Sequence, residues 1–424
     1  MSLAILLVSF VILLFLGAPV AAAMILSGAL SLLSGGLPLN IVAERLLSGV
    51  NSYTLLAVPF FVFAAVIMNR GGLTDRLLGA AASFVGHFRG GVAQVDVLAS
   101  IFFAGMSGSA TADAASQGRI LIPHMQKQGY DIGFAAGVNS ASATIGAIIP
   151  PSITMIIYGS VTSISVGALF LAGILPGLII GFGMMVVVAI MAARRNYPRA
   201  EKLTLRQRVR PVVAALPALL APIFILGVIF TGVATPTEAG VIACVYALVL
   251  GFFVYRELRL SDIPSLLQDT VEATAVPVTI IASASVFGFA LTASGFGFMV
   301  EQWMTGITDD PLLFLALVVT IFFIVGMVIE GTAALLIFVP IFWPMIGSYG
   351  LDELQFAIII VITILVGTIT PPVGIQLFIA ADIARISVFK VEVWPFVLLM
   401  LGVIVLLMLF PQIATAVPAL VMGV

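Results

Sequence analysis

Long apolar stretches separated by short polar breaks run through the whole chain, at 3–33, 54–69, 92–107, 133–158, 166–192, 212–230, 238–255, 272–294, 312–329, 332–346, 354–380 and 395–417. A helix rises 1.5 Å per residue, so about 20 residues cross a hydrocarbon core of roughly 30 Å. The pattern predicts an all-α polytopic membrane protein with about ten to twelve full spans and no soluble domain between them. Segments 3–33 and 354–380 read as broken helices. The N-terminal run Leu3 to Leu16 has no basic leader and continues into Val20 to Leu33, which reads as a retained membrane segment rather than a cleaved signal.

Composition agrees with the pattern. Of 424 residues, 62% are hydrophobic and 8% charged, against about 25% charged in soluble domains. A formal net charge of −2 and no basic tail exclude nucleic acid as a partner, so the bilayer is the first partner implied. The lone Cys244 lies in an apolar run and reads as a packed side chain. No Gly-x-x-x-x-Gly-Lys-Ser/Thr phosphate loop occurs and no nucleophile with its base can be named, so neither ATP hydrolysis nor enzyme catalysis is expected. His87 and His124 are isolated and read as loop or interface residues rather than a proton relay. Trp303, Trp343 and Trp394, with Tyr53 and Tyr349, read as interfacial anchors.

The most basic loop carries Arg194, Arg195, Arg199, Lys202, Arg206, Arg208 and Arg210 against the single acid Glu201, which places it on the cytoplasmic side. Segments 212–230 and 238–255 then form a hairpin that leaves and returns, with the uncharged turn TGVATPTEAG outside.

Around this loop the chain resembles itself. VPFF at 58–61, GMSGSATAD at 105–113, Pro123 and IGAIIPPS at 145–152 are followed in the same order by VPVT at 276–279, GMVIEGTAA at 326–334, Pro340 and VGTITPPV at 366–373. The Val-Pro pairs lie 218 residues apart and the Pro-Pro pairs 221. An internal duplication accounts for this spacing. It divides the chain into a first repeat at 1–193, a basic loop and linking helix pair at 194–263, and a second repeat at 264–424.

The chemistry follows from the interruptions. Proline removes a donor and glycine releases the backbone, so both Gly-x-Ile-x-Pro-Pro stretches break a membrane helix. A break is tolerated in lipid only where protein buries it or it lines a cavity. Paired broken helices in two repeats are how many secondary transporters hold solute and ion near the midplane. The first break is framed by Asn139, Ser140, Ser142 and Thr144 before Pro150 and Pro151, with Ser152 and Thr154 after them. The second is framed by Thr363, Thr368 and Thr370 before Pro371 and Pro372, with Gln376 beyond. Such hydroxyls and freed carbonyls suit sodium, and helix N-termini suit an anion; the same groups also serve as packing glue between helices. The short arms around Ser107, Gly108, Ser109 and Thr111, and around Glu330, Gly331 and Thr332, read as tips of two re-entrant hairpins.

Asp113, Glu330 and Asp382 are acids in apolar surroundings and need a reason to be there. Glu330 has no charged neighbour for nineteen residues before it or twenty-one after; it could bind a cation, carry a proton or pair with Arg119 or Arg385, and a structural or gating role is favoured. Asp382 could pair with Arg385 at i+3. Arg89, Arg119, Lys127 and Arg385 either attract a carboxylate substrate or mark a cytoplasmic membrane edge.

FFAGMSGSATADAAS at 102–116, GYDIGFAAGVNSASATIGAIIPPS at 129–152, GILPG at 173–177, TPTEAG at 235–240 and GTITPPVG at 367–374 together resemble the large membrane subunit, the M component (DctM-like), of tripartite ATP-independent periplasmic (TRAP) transporters. The resemblance runs from Leu3 to about Pro411. It implies an elevator-type fold with two inverted repeats in a bacterial inner membrane, importing an organic acid with sodium as coupling ion and no other cofactor. A C4-dicarboxylate is the favoured substrate, with a sialic or other sugar acid as the second choice. The partners it implies are a small four-helix membrane subunit (Q component) and a periplasmic substrate-binding protein (P component). By this resemblance sodium sits near Ser107, Gly108, Ser109 and Thr111 with Asn139 to Pro151, and near Gly331, Thr332 and Ala333 with Gly367 to Pro372. The chain reads as a separate M subunit rather than a fusion with the small one. A stand-alone ion-coupled exporter or antiporter of the same architecture is the alternative.

Overall fold

The computed structural model describes residues 2–199 and 204–423, so Glu201 and Lys202 of the basic loop lie outside the described residues. The first apolar stretch is broken at Gly17 to Pro19 into α1 (Ser2–Phe15) and α2 (Val20–Ser34). The two run back along each other, since the Ser31 hydroxyl donates to the Ser2 carbonyl at 3.1 Å. α3 (Asn40–Val50) and α4 (Ala57–Arg70) meet at a bend of 63° and are followed by α5 (Leu73–Val85). α6 (Gly91–Ser107) and α7 (Ala110–Lys127) pack on each other as a hairpin whose turn is Gly108 and Ser109. Gly108 has φ 61°, which favours glycine there.

α8 (Ile132–Ala143) and α9 (Ile145–Ile148) lead to Pro150 and Pro151. There the axis turns by 45° into α10 (Ile153–Thr162). α11 (Val166–Arg194) is followed by the linking pair α12 (Leu205–Phe230) and α13 (Pro236–Val249). That pair forms the expected hairpin. Thr235 and Glu238 cap α13 reciprocally, and Tyr246 on α13 donates its hydroxyl to the Pro217 carbonyl of α12 at 2.7 Å. The Cys244 thiol is buried, 3.0 Å from the Phe60 carbonyl, as a packed side chain should be.

The second half repeats the order of elements. α14 (Ile263–Ala293) carries the Val-Pro pair as α4 does, and α15 (Phe296–Ile307) follows it as α5 follows α4. α16 (Pro311–Val328) and α17 (Gly331–Phe342) form a second hairpin turning at Ile329 and Glu330. α18 (Glu353–Thr368) ends before Pro371 and Pro372, and α19 (Ile375–Ala384) resumes after them. α20 (Trp394–Leu409) and α21 (Gln412–Met422) close the chain, bent by 63°.

Five helices among the described residues are long and apolar enough to cross a bilayer, and up to eight if each bent pair counts as one span. Fewer helices than the expected ten to twelve spans pass on length and composition, because several apolar segments are shorter than a full span. α6, α17, α18 and α19, arms of the hairpins and halves of the second broken helix, are apolar yet only 10–17 residues long.

α18 is buried on every side from Gln355 to Thr368, and so is α8 from Gly133 to Ala143. A helix that is apolar or small all round belongs inside the protein, and these two form its centre. Glycine lets neighbours reach them: a Cβ at Gly137 would stand 2.3 Å from the Glu392 carbonyl oxygen, and one at Gly367 would stand 2.7 Å from the Gly326 Cα on α16. Trp303 and Trp394 are exposed, as anchors should be. Trp343 instead packs edge-on to Tyr158 with centroids 6.0 Å apart, and Tyr349 stacks on Phe314 at 4.0 Å and donates to the Thr308 carbonyl. Tyr349 is buried and Trp343 half-buried against the core, since α17 packs on α10 and α16.

Gly367→Ala should force α16 and α18 apart, costing about 1–3 kcal/mol, as overpacking does, and lowering the unfolding temperature in detergent by several degrees. Gly402→Ala, where a Cβ would meet nothing within 4 Å, should leave that temperature unchanged or slightly raised.

Candidate functional site

The 221-residue offset between Pro150 and Pro371 also relates Gly105 to Gly326, Ser109 to Glu330, Gly146 to Gly367 and Ile153 to Gly374. Each related pair holds a matching structural place. Ile153 donates its backbone N–H to the Gly108 carbonyl of the first hairpin tip at 3.2 Å. Gly374 donates to the Met327 carbonyl at the end of α16, at 3.1 Å. Each broken helix is therefore tied by its freed backbone to the hairpin of its own half, which satisfies groups that lipid could not.

Ser109 caps α7, its hydroxyl accepting from the Ala112 N–H at 3.4 Å, and also lies 3.1 Å from the Thr111 hydroxyl. Glu330 occupies the equivalent place on α17, its Oε2 accepting from the Ala333 N–H at 3.0 Å. This explains an isolated carboxylate in an apolar stretch: a negative charge at a helix N-terminus caps two-fold, by hydrogen bond and by dipole. Glu330 makes no ion pair with Arg119 or Arg385.

A cavity of about 370 Å³ lies between these tips and the paired helices α4 and α14, within the range of about 300–1,000 Å³ typical of small-molecule sites. Ser107, Gly108, Ser109, Thr111 and Thr154 reach it from the first half, and Glu330, Gly331, Thr332, Thr368 and Gln376 from the second. Val66 and Asn69 of α4, with Val276 and Pro277 of α14, close the far wall. The first turns of α7, α10, α17 and α19 all line it, through Ala110, Ile153, Gly331 and Ile375. Four helix N-termini thus border one space, in which Glu330 is the only charged lining side chain among the described residues.

The remaining predicted residues stand behind the cavity. Ser142 donates to Asp96 Oδ1 at 3.1 Å, and Ser140 donates to the Gln376 carbonyl at 3.3 Å. The Asn139 amide, in its satisfied orientation, bonds the Ala114 carbonyl and the Gly118 N–H of α7. Thr144 and Thr370, like Thr368 on the cavity wall, return their hydroxyls to carbonyls three or four residues back, and Thr144 also touches the Met400 sulfur. Gly367, Pro150 and Pro151 are buried, Pro371 is half-buried and Pro372 exposed. Asn139, Ser140 and Ser142 therefore tie α8 to α7, α19 and α6. Asp113 is buried beside Gly146 of α9, where a Cβ would stand 2.0 Å from its Oδ2.

Asp382 and Arg385 form no ion pair. The helix ends at Ala384 and Arg385 turns to φ 54°, so the i+3 geometry is lost. Arg89, Arg119, Lys127 and Arg385 are exposed, and none lines the cavity. Sequence reading passed over Asp96, a fully buried carboxylate in α6. Its signal was an acid inside the apolar stretch 92–107.

Two hairpins, two broken helices and a shared cavity define an all-α, multi-pass membrane carrier fold. The chain belongs to the family of tripartite ATP-independent periplasmic transporters, DctM component, whose pattern it matches over residues 7–413. It is 36% identical over 414 residues to the sialic acid TRAP transporter large permease SiaM of Vibrio cholerae, covering 97% of each chain. It is 37% identical to the C4-dicarboxylate large permease DctM of Pseudomonas aeruginosa, covering 93% of each, and 35% identical to the 2,3-diketo-L-gulonate large permease YiaN of Escherichia coli, covering 94% of each. Among solved structures, the Alcanivorax borkumensis YdaH transporter shares the fold at TM-score 0.65 and 15% identity, covering 88% of this chain and 89% of that one. The Neisseria gonorrhoeae MtrF shares it at TM-score 0.57 and 14% identity, covering 87% and 83%. The protein is a transporter subunit of the inner membrane and not an enzyme.

Replacing Glu330 by Ala should remove the α17 cap and cost about 1 kcal/mol, read as a lower unfolding temperature. Glu330→Ser, which copies the first tip, should restore most of it. Equal loss in both variants would mean that the carboxylate does more than cap.

Proposed function

We propose that the cavity between the hairpin tips carries the carboxylate of an organic acid, imported across the inner membrane together with sodium. The observation that carries this reading is the convergence of the α7, α10, α17 and α19 N-termini on that cavity. Their N–H groups and partial positive charge suit an anion without a basic side chain, and an ammonium or guanidinium would not be needed. Neutral oxygens at the tips suit sodium. One set is Ser107, Ser109 and Thr111 with the carbonyls of the first break up to Pro151. The other is Gly331, Thr332 and Ala333 with Gly367 to Pro372. Glu330 caps its helix and turns its charge to the α17 amides, which lessens its repulsion of the substrate.

In this reading the hairpins and broken helices, tied to one another by Ile153 and Gly374, move as one body against α4 and α14 in an elevator cycle. Residues 1–193 and 264–424 supply equivalent halves of that machine, joined by 194–263. A small Q component steadies the scaffold and a periplasmic P component delivers the substrate. The names of the relatives favour a C4-dicarboxylate or a sugar acid such as sialic acid, and their near-equal identities do not rank the two.

Proteoliposomes holding this chain and its small partner should take up labelled succinate only with inward sodium and binding protein together. Sialic acid with its matched binding protein is the second substrate to try. Uptake that persists without binding protein would replace the tripartite importer by a stand-alone carrier, and uptake that ignores the exchange of sodium for potassium would remove sodium as the coupling ion.

A further inference from the structure

A second cavity, of about 610 Å³, opens where the turn between α5 and α6 meets the C-terminal half of α11. Its wall is a stripe of Phe182, Met185, Val186 and Ala189. Those spacings put the four on one face of the helix over roughly 10 Å of its length. Phe182 is 57% and Val186 58% exposed. Its mouth carries Arg89 and Arg199.

Charge decides what the groove fits. Arg195, in the same loop, is neutralised by Asp131 and Glu392. Arg89 and Arg199 pair with no acid among the described residues. The basic loop puts this mouth at the cytoplasmic membrane edge, and the apolar stripe runs from it into the hydrocarbon layer. A soluble anion would use the two cations and leave the stripe idle, whereas an apolar helix would cover the stripe and trap the cations without counter-charge. An amphiphile with a negative head satisfies both.

We propose that this groove binds an anionic phospholipid of the cytoplasmic leaflet, with its phosphate between Arg89 and Arg199 and an acyl chain along Phe182 to Ala189. The lipid sits over a joint of the fold. The Gln94 amide of α6 donates to the Met185 carbonyl of α11 at 2.8 Å, and Arg89 immediately precedes α6. A bound lipid therefore bridges the start of the first hairpin to α11.

Native mass spectrometry of the purified full chain with phosphatidylglycerol or phosphatidylcholine tests this. Two arginines near a phosphate should favour phosphatidylglycerol by about 10- to 30-fold. R89Q/R199Q should bring its retention down to that of phosphatidylcholine, while R206Q/R210Q, altered outside the cavity, should leave it unchanged. A second measurement does not depend on the arginine variants folding: in V186W, brominated phosphatidylglycerol should quench the added tryptophan more than brominated phosphatidylcholine does. Equal retention of the two lipids, equal quenching, or displacement of phosphatidylglycerol by millimolar inorganic phosphate would overturn the proposal, the last by making the groove a site for a soluble anion.

Discussion

Backbone N–H and C=O groups cannot be left unpaired in hydrocarbon, and the architecture of this protein is arranged around the two places where the chain breaks that rule. At Pro150 and Pro371 the helical ladder stops within the membrane. The Ile153 and Gly374 N–H groups beyond the breaks find carbonyls on the facing hairpins. Such pairing is possible only if α8 and α18 lie at the centre of the molecule and the hairpins press directly against them. Glycines at 326 and 367 make that approach possible between α16 and α18. Burial of α8 and α18 on every side, the tight hairpin turns and the placement of the cavity all follow from it.

The same breaks supply the chemistry. A continuous helix neutralises its own polar groups, but one that restarts inside the protein begins with N–H groups that have no helical partner, and Ser109, Ser152 and Glu330 each cap one of these restarts. Two hairpins and two broken helices yield four such ends, and the duplication turns them toward a shared space. In the function proposed above, these dipoles, which the fold already contains, take the place of a buried arginine in holding the anion. The polar residues behind that space, Asn139, Ser140, Ser142 and Asp96, hold the ends in place by tying α8 to its neighbours.

Ser109 and Glu330 show how the two halves have diverged within one geometry. Both cap the second arm of a hairpin, one with a hydroxyl and the other with a carboxylate. Asp96 and Asp113, by contrast, have apolar counterparts, Leu317 and Ala334, at the 221-residue offset. Among the described residues, buried acids thus belong to the first half alone, and the two halves share a frame while differing in charge.

Membrane character, the interrupted helices and the ordered pairs of landmarks were legible in the sequence, because lipid dictates composition, proline and glycine dictate breaks, and duplication preserves spacing. The positions of the two hairpin tips were legible for the same reason. Which apolar segments cross the bilayer fully was not, since hydropathy measures the surroundings of a helix and not its extent. Nor was the division of labour among the polar residues: Ser107 and Thr332 face the cavity while Ser140 and Ser142 bind helices together, and serine and threonine serve either purpose. The Asp382 and Arg385 pair failed for a related reason, because a helix that ends one residue early removes the register on which the pairing depended. Sequence by itself determined that this chain must break its helices inside a membrane and do so twice. Only the tertiary structure decided that four helix N-termini border one cavity, because their meeting is set by contacts between segments more than two hundred residues apart.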